Sequence, residues 1–354
     1  GVFHRLGRAL GALVGPWLYL AGFEVNALAA LAINGLAAVH ARAATHFVAD
    51  APPLAALLHA PLPTQLGALF TGVPLPRPQN HSTPADHHLP YATYAIMLAN
   101  GEHLEAWHVP HPQPRGLVLL FVGYGGVKEG ALTPAAKLFE FGFSSLLVDF
   151  RGAGGSARSD QTLGIREAED VIAAWHYAAA QWPGLPLYLY GVSMGGAAIL
   201  RAVALAGLPA QGLILEAVFD RLTTTTRHRF AAYGLPGTPA AELLLFWGGV
   251  QLGVDPFSHN PVEHAAHVSM PVLLLYGERD PWILPPERVA LAGALRGPVE
   301  VVVFPEQGHG GPTSTPIPHV GTPPCVPFSI GDTGDTTLLP CQAGAAAYKA
   351  VYRA

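Results

Sequence analysis

The chain has 354 residues, of which 50% are hydrophobic and 12% charged, and 19 Lys and Arg stand against 24 Asp and Glu for a formal net charge of −5. An average soluble domain carries roughly 25% charged residues, so the surface is sparsely charged, and no basic excess points to a nucleic-acid partner. The length admits one large domain or two ordinary ones, either able to bury a sizeable core.

The apolar excess begins at the start of the chain. No charged residue lies between Arg8 and Glu24, and the apolar character resumes after Glu24 as far as Arg42. Neither half reaches the ~20 apolar residues of a spanning helix. Glu24, Asn26 and Asn34 also interrupt the run. Residues 1–43 are therefore expected to form an apolar helical segment. It reads first as an anchor associating with a membrane through residues 9–40, then as a signal remnant ending near Ala41-Arg42-Ala43, then as a helix packed on the domain. The first two readings favour the cell envelope, a membrane surface or secretion over the cytoplasm.

Residues 44–90 are rich in Pro, His and Ala and read as a linker, with "PLPRPQNHSTPADHH" as a surface loop. His81, His87 and His88 lie in it without the carboxylates or cysteines that would make a metal site. From Tyr91 onward the pattern tightens. Asn100-Gly101 separates two short alternating runs, a hairpin signal. "GLVLLFVG" (116–123) is an unbroken apolar strand, followed by a helical pattern. "SSLLVDFRG" (144–152) is the next strand, and residues 163–182 form a long helix with acidic residues early. "LPLYLYG", "GLILEAVFD", "PVLLLYGERD" and "VEVVVFPEQGH" complete the strands. Continuous rather than alternating apolar runs are buried on both faces, which predicts a parallel sheet between helices. One α/β domain is expected over residues 91–354, with a helical insertion at about 221–269 acting as a small cap.

The strand "LPLYLYG" runs into Gly191-Val192-Ser193-Met194-Gly195, a G-x-S-x-G sequence between a strand and a helix. A side chain held up on so sharp a turn needs neighbours without bulk. The helix beginning at Met194 directs free N–H groups and the positive end of its dipole towards Ser193. A serine nucleophile needs a base, and the base needs an orienting acid. Asp280, after "LLLYGER", and His309, after "VVVFPEQG", follow in that order, each just past a strand end. Glu216 and Asp220 are rival acids, Glu278 is expected to serve the hydrogen bonding of its own loop, and His319 is a rival base. The backbone N–H groups of Met194 and Tyr124, the latter in "FVGYGGVKEG", are the candidate oxyanion donors. "DFRGAGGS" lacks the G-x-G-x-x-G spacing of a dinucleotide loop, and its Asp149 and Arg151 are expected to pair. Trp282, Phe246 and Trp247 are candidates to line an apolar pocket.

The set "FVGYGG", "DFRGAGGS", "GVSMGG", "GERDPW" and "GHG" resembles the α/β-hydrolase superfamily, and within it the esterase and serine-aminopeptidase-like branch. The resemblance covers about residues 90–310. It implies a mostly parallel central sheet flanked by helices with a small cap, and Ser193, His309 and Asp280 as nucleophile, base and acid. It implies a small-molecule acyl substrate, a carboxylic ester first, with thioesters, amides and peptides open, and no organic cofactor or metal. The chain departs from many relatives at Val122, where they carry His. The stretch 310–342 is longer than their link to a final helix and reads as an extended loop ahead of "AGAAAYKAVYRA". Cys325 and Cys341 lie there, and oxidation would contribute on the order of 3 kcal/mol. Two other classes remain open: a non-catalytic binding protein on the same scaffold, and a membrane-tethered interaction protein.

Overall fold

The computed structural model describes residues 26–52, 56, 59–309, 326–330 and 336–338, the last two segments as backbone. The described chain opens on helix α1 (Asn26–Thr45). Strand β1 (Phe47–Val48), helix α2 (Leu62–Thr71) and strand β2 (Leu75–Pro76) follow, with β1 and β2 pairing in parallel. The stretch 74–88 differs from the linker expected from its composition. It is strapped onto the domain by hydrogen bonds to backbone and loop groups. Arg77 Nη1 and Nη2 donate to the carbonyls of Gly154 and Ser156 at 2.7 and 2.6 Å. Asn80 Nδ2 donates to Asp149 at 2.9 Å, and the Glu129 carboxylate accepts from the amides of His81 and Ser82. A Pro-rich composition does not show whether polar groups are paired, and here their pairing makes the stretch a strap.

The main sheet begins with the hairpin β3 (Ala92–Met97) and β4 (His103–Val109), antiparallel with Met97 opposite His103 across the Asn100-Gly101 turn. Then strands and helices alternate. Strand β5 (Leu117–Phe121), helix α3 (Leu132–Glu140), strand β6 (Ser144–Val148) and helix α4 (Glu167–Gln181) lead to strand β7 (Leu187–Val192). Helix α5 (Met194–Ala206) and strand β8 (Leu213–Glu216) precede three helices, α6 (Leu222–Ala232), α7 (Ala240–Leu252) and α8 (Pro261–Ala265). Strand β9 (Val272–Gly277), helix α9 (Pro285–Ala294) and strand β10 (Val299–Phe304) close the parallel region. Strand β11 (Val326–Ile330) then extends the edge antiparallel to β10, and β12 (Thr336–Leu338) antiparallel to β11, within a stretch that reads as loop in the sequence.

The resulting ten-stranded sheet has the order β12-β11-β10-β9-β8-β7-β5-β6-β4-β3. From β6 to β10 the neighbours run in parallel, so all their C-terminal ends point to one edge. Burial explains the run-on hydrophobicity. Leu117, Leu119 and Phe121 of β5 face one core with α4 and α5, while Val118, Leu120 and Val122 face the other with α3. The strand is buried on both sides, as a parallel strand between two helical layers must be.

Asp149 and Arg151 do not pair with each other. Asp149 bonds the fully buried Lys128 ammonium at 2.5 Å, and Lys128 also reaches Glu105 at 2.6 Å and lies 4.2 Å from the Trp107 ring centroid. Arg151 instead binds Asp170 at 2.6 Å, Glu169 at 2.8 Å and Glu102 at 3.2 Å. Residues i and i+2 share a face only within a strand, and β6 ends at Val148 ahead of both, so the two meet different partners.

Candidate active site

Ser193 occupies the junction between β7 and α5 with φ 51° and ψ −113°. A positive φ in a non-glycine residue costs about 1–3 kcal/mol and persists only where surroundings enforce it. Here the Ser193 N–H donates to the Glu216 carbonyl at 2.7 Å, and the Ser193 carbonyl accepts from the Ala197 N–H at 3.0 Å. The flanking glycine is explained by crowding. A Cβ on Gly195 would stand 2.4 Å from the Phe121 carbonyl oxygen and 2.8 Å from that of Val122. Only glycine lets α5 start so close to β5.

The structure brings together three residues far apart in the chain. Ser193 Oγ lies 2.9 Å from His309 Nε2, and His309 Nδ1 lies 2.8 Å from Asp280 Oδ2. The other Asp280 oxygen accepts from the backbone N–H groups of Trp282 and Ile283 at 2.9 and 3.2 Å. With Nδ1–H donating to the carboxylate, Nε2 is left to accept from the serine hydroxyl. The acid and histidine loops are stitched by Arg279 N–H donating to the Gln307 carbonyl at 2.9 Å. Gly277 makes this approach possible, because a Cβ there would meet the Gly308 and Gln307 carbonyl oxygens at 2.2 and 2.4 Å.

The rival residues sit elsewhere. The fully buried Glu216 carboxylate accepts from the Tyr190 hydroxyl. Asp220 accepts from the Arg221 N–H at 2.6 Å, and burial raises its carboxyl above the usual range. Glu278 is exposed. His319, Cys325, Cys341 and the final helical pattern lie outside the described residues. Among the described residues no group of His, Cys, Asp and Glu is arranged to hold a metal ion.

The loop after β5 passes against the serine. A Cβ on Gly123 would stand 3.5 Å from Ser193 Cβ. The turn is shaped by Gly126 N–H to the Gly123 carbonyl at 3.0 Å and by Gly125 N–H to Gln161 Oε1 at 3.0 Å. Among the described residues neither the Met194 N–H nor the Tyr124 N–H meets an acceptor. The Tyr124 hydroxyl donates to the Ala44 carbonyl of α1, and burial pushes it up to about 12.

Beyond Tyr124 lies a cavity of about 140 Å³ whose wall includes Ala41 and Thr45 of α1, Leu222 and Phe230 of α6, and Leu245 and Gly248 of α7. The sequence candidates for an apolar lining stand outside it. Phe246 is exposed, and Trp247 turns towards α1, donating to Asn34 Oδ1 at 3.0 Å. Trp282 packs on His309 with ring centroids 4.5 Å apart. Alternation around a helix placed Leu245 inwards and Phe246 outwards, which aromaticity alone does not reveal.

Arg229 of α6 is the site residue that the sequence did not single out. Its guanidinium lies 4.5 Å from the Trp282 ring centroid and forms part of the cavity wall. Burial draws its affinity for a proton below the usual value. One of three arginines in and just before a threonine-rich helix, it carries no sequence signature.

A match to the family described as "Serine aminopeptidase, S33" covers residues 112–237. The uncharacterized protein Rv2307c of Mycobacterium tuberculosis is 30% identical over 222 residues, 61% of this chain and 72% of that one. The uncharacterized membrane protein YNL320W of Saccharomyces cerevisiae is 25% identical over 199 residues, 51% of this chain and 70% of that one. The esterase Pf2001 of Pyrococcus furiosus superposes with a TM-score of 0.54 at 19% identity, covering 66% of this chain and 90% of the esterase. That likeness is one of fold.

Proposed function

Because the chain belongs to the α/β-hydrolase superfamily, we propose that it is a serine hydrolase cleaving carboxylic esters through Ser193, His309 and Asp280. The observation that carries this reading is the unbroken relay from Ser193 Oγ to His309 at 2.9 Å and from His309 to Asp280 at 2.8 Å. His309 Nε2 takes the hydroxyl proton as Ser193 Oγ attacks the acyl carbon. The negative charge that develops on the carbonyl oxygen is met by the N–H groups of Met194 and Tyr124. The leaving alkoxide takes the proton from His309, and an acyl-enzyme remains. Water, deprotonated by His309, then attacks the acyl carbon and releases the acid and the serine. Asp280 keeps the imidazole in the tautomer these transfers require. The helices α6 to α8 serve as the cap.

A fluorophosphonate probe tests this reading. It should label the folded chain with one equivalent at Ser193, and Ser193→Ala should abolish both labelling and p-nitrophenyl ester hydrolysis. Absence of labelling in folded protein would make the chain a binding protein on a hydrolase scaffold.

An aminopeptidase reading is less well supported. Such an enzyme must hold a substrate ammonium, and the cavity wall presents the cation Arg229 with, among its lining residues, no carboxylate. Like charges there repel.

Leu28, Leu31 and Ile33 of α1 are exposed, and we propose that this helix rests on a lipid surface. Sedimentation with phospholipid vesicles should follow the full chain and be lost on Leu28→Glu/Leu31→Glu.

A further inference from the structure

The arginines of α6 and its N-terminal flank are treated unequally by the fold. Arg221 pairs with Glu263 at 2.8 Å, and Arg227 pairs with Glu242; both arginines are well exposed. Arg229 is more enclosed, and its Nε is buried without a hydrogen-bond partner. Among the described residues it has no salt-bridge carboxylate; it rests on the face of Trp282, and the Asp280 carboxylate, already bonded to His309, acts on it only through space. A partly desolvated cation with no carboxylate in direct contact is unfavourable unless something else meets it. Exposed positions on the same helix have carboxylates, whereas the one arginine in the cavity wall has been left open.

Its position relates it to the chemistry. Arg229 lies over the ring of Trp282, Trp282 packs on His309, and His309 bonds Ser193. The cavity that Arg229 borders is otherwise lined mainly by aliphatic and small side chains, and its wall includes Tyr124, whose neighbour Gly123 lies against Ser193. Its volume of about 140 Å³ is close to the ~150 Å³ of an engineered apolar cavity that accepts benzene, so it has room for an apolar group of roughly six carbons.

We propose that Arg229 is a specificity-determining residue that pairs with an anionic group, carboxylate or phosphate, carried by the ester substrate close to the scissile bond, while a short apolar portion fills the cavity. This rests on the serine-hydrolase reading above. The anion can belong to the acyl part or to the alcohol part, and the cation's guanidinium fork suits either. Arg229 does not touch the reacting atoms; it selects what is presented to them.

The test compares matched neutral and charged esters. For the acyl side, p-nitrophenyl pentanoate is set against mono-p-nitrophenyl glutarate. For the alcohol side, 4-methylphenyl butanoate is set against 4-(carboxymethyl)phenyl butanoate. The wild-type chain should prefer the charged member of one pair by at least about tenfold in kcat/KM, the scale of a charge-assisted hydrogen bond. Which pair shows it assigns the anion to the acyl or the alcohol side. Arg229→Gln should bring that ratio to within about twofold of one, and Arg229→Lys should keep part of it. The ratio is insensitive to a general loss of activity from a disturbed Trp282. No preference in either pair by wild-type protein that fluorophosphonate labels at Ser193 overturns the proposal, whether or not the variants fold. A preference that survives Arg229→Gln overturns it as well. Failure of wild-type labelling instead removes the hydrolase reading beneath it.

Discussion

The Asp280 carboxylate receives His309 Nδ1 at 2.8 Å although the two residues leave different strands, β9 and β10, and stand 29 positions apart. Parallel pairing of those strands, with Phe304 opposite Gly277, delivers both loops to the same sheet edge. The backbone amides of Trp282 and Ile283 hold the second carboxylate oxygen, so the acid cannot turn away from the imidazole.

Asp280→Asn should therefore keep the fold and lose the tautomer. An amide in that place can donate to Nδ1 and leave the proton on Nε2, where it cannot accept from Ser193. We expect kcat to fall by about 10⁴-fold with an unchanged melting temperature. A fall of less than about tenfold would show that Asp280 does not orient the base.

Gly277→Ala should be far more damaging than an ordinary glycine substitution. Its added methyl would meet two backbone carbonyl oxygens at 2.2 and 2.4 Å, neither of which can swing aside like a side chain. Displacing the His309 loop by even an ångström can cost about 10²-fold in rate. Steady-state kinetics should show the loss in kcat, while circular dichroism remains native-like.

The cavity predicts a limited chain length. In a p-nitrophenyl ester series kcat/KM should rise to about six carbons and then fall. A Cβ on Gly248 would find only Thr45 and Ala41 at 3.9 and 4.0 Å, so the backbone tolerates a larger residue. Gly248→Leu should fold, fill part of the cavity and move the optimum shorter by about two carbons. An unchanged optimum would mean that acyl chains go elsewhere.

Buried histidines make the fold sensitive to acid. Burial pulls His259 down to about 3 and His108 down to about 4 from 6.5. In the unfolded chain each takes up a proton below about pH 6.5, and in the folded chain each stays neutral. Unfolding therefore binds protons, and stability falls as pH drops from 6.5, each group contributing up to about 1.4 kcal/mol per pH unit. Denaturant melts from pH 7 to pH 4 should show this decline, and His259→Gln should make it shallower.

Lys128 is a buried cation with its counter-ions in place. Lys128→Met would leave Asp149 buried and uncompensated, and we expect a loss of about 3–5 kcal/mol by urea titration. A loss below about 1 kcal/mol would mean that Asn80 and the Gly155 amide suffice for Asp149.

Much of the frame is legible in the residues because it rests on local rules. Runs such as "GLVLLFVG" and "PVLLLYG" announce strands buried on both faces, and Asn100-Gly101 announces its hairpin. Glycines around Ser193 announce a turn where side chains have no room. The placing of Ser193, Asp280 and His309 past the ends of β7, β9 and β10, at one sheet edge, follows once the strands are parallel. What depends on which surfaces meet was not legible. The 74–88 segment has the composition of a linker, yet its polar groups find partners in loops near Asp149 and Gly154 and bind it down. Asp149 and Arg151 stand two apart in the sequence with opposite charge, but beyond the end of β6 Asp149 meets Lys128 and Arg151 meets Asp170.

The sequence by itself determined the parallel part of the sheet, the strand-to-helix turn at Ser193 and the order of the three candidate site residues, since each follows from hydrophobic period, backbone freedom or position at a strand end. Only the tertiary structure decided the lining of the cavity and the standing of Arg229. Those depend on how α1, α6 and α7 pack over the sheet edge, and helical phase puts Leu245 inside, Phe246 outside and one arginine of its group against Trp282. Charge alone does not distinguish Arg229 from Arg221 or Arg227; the carboxylates placed beside two of them do.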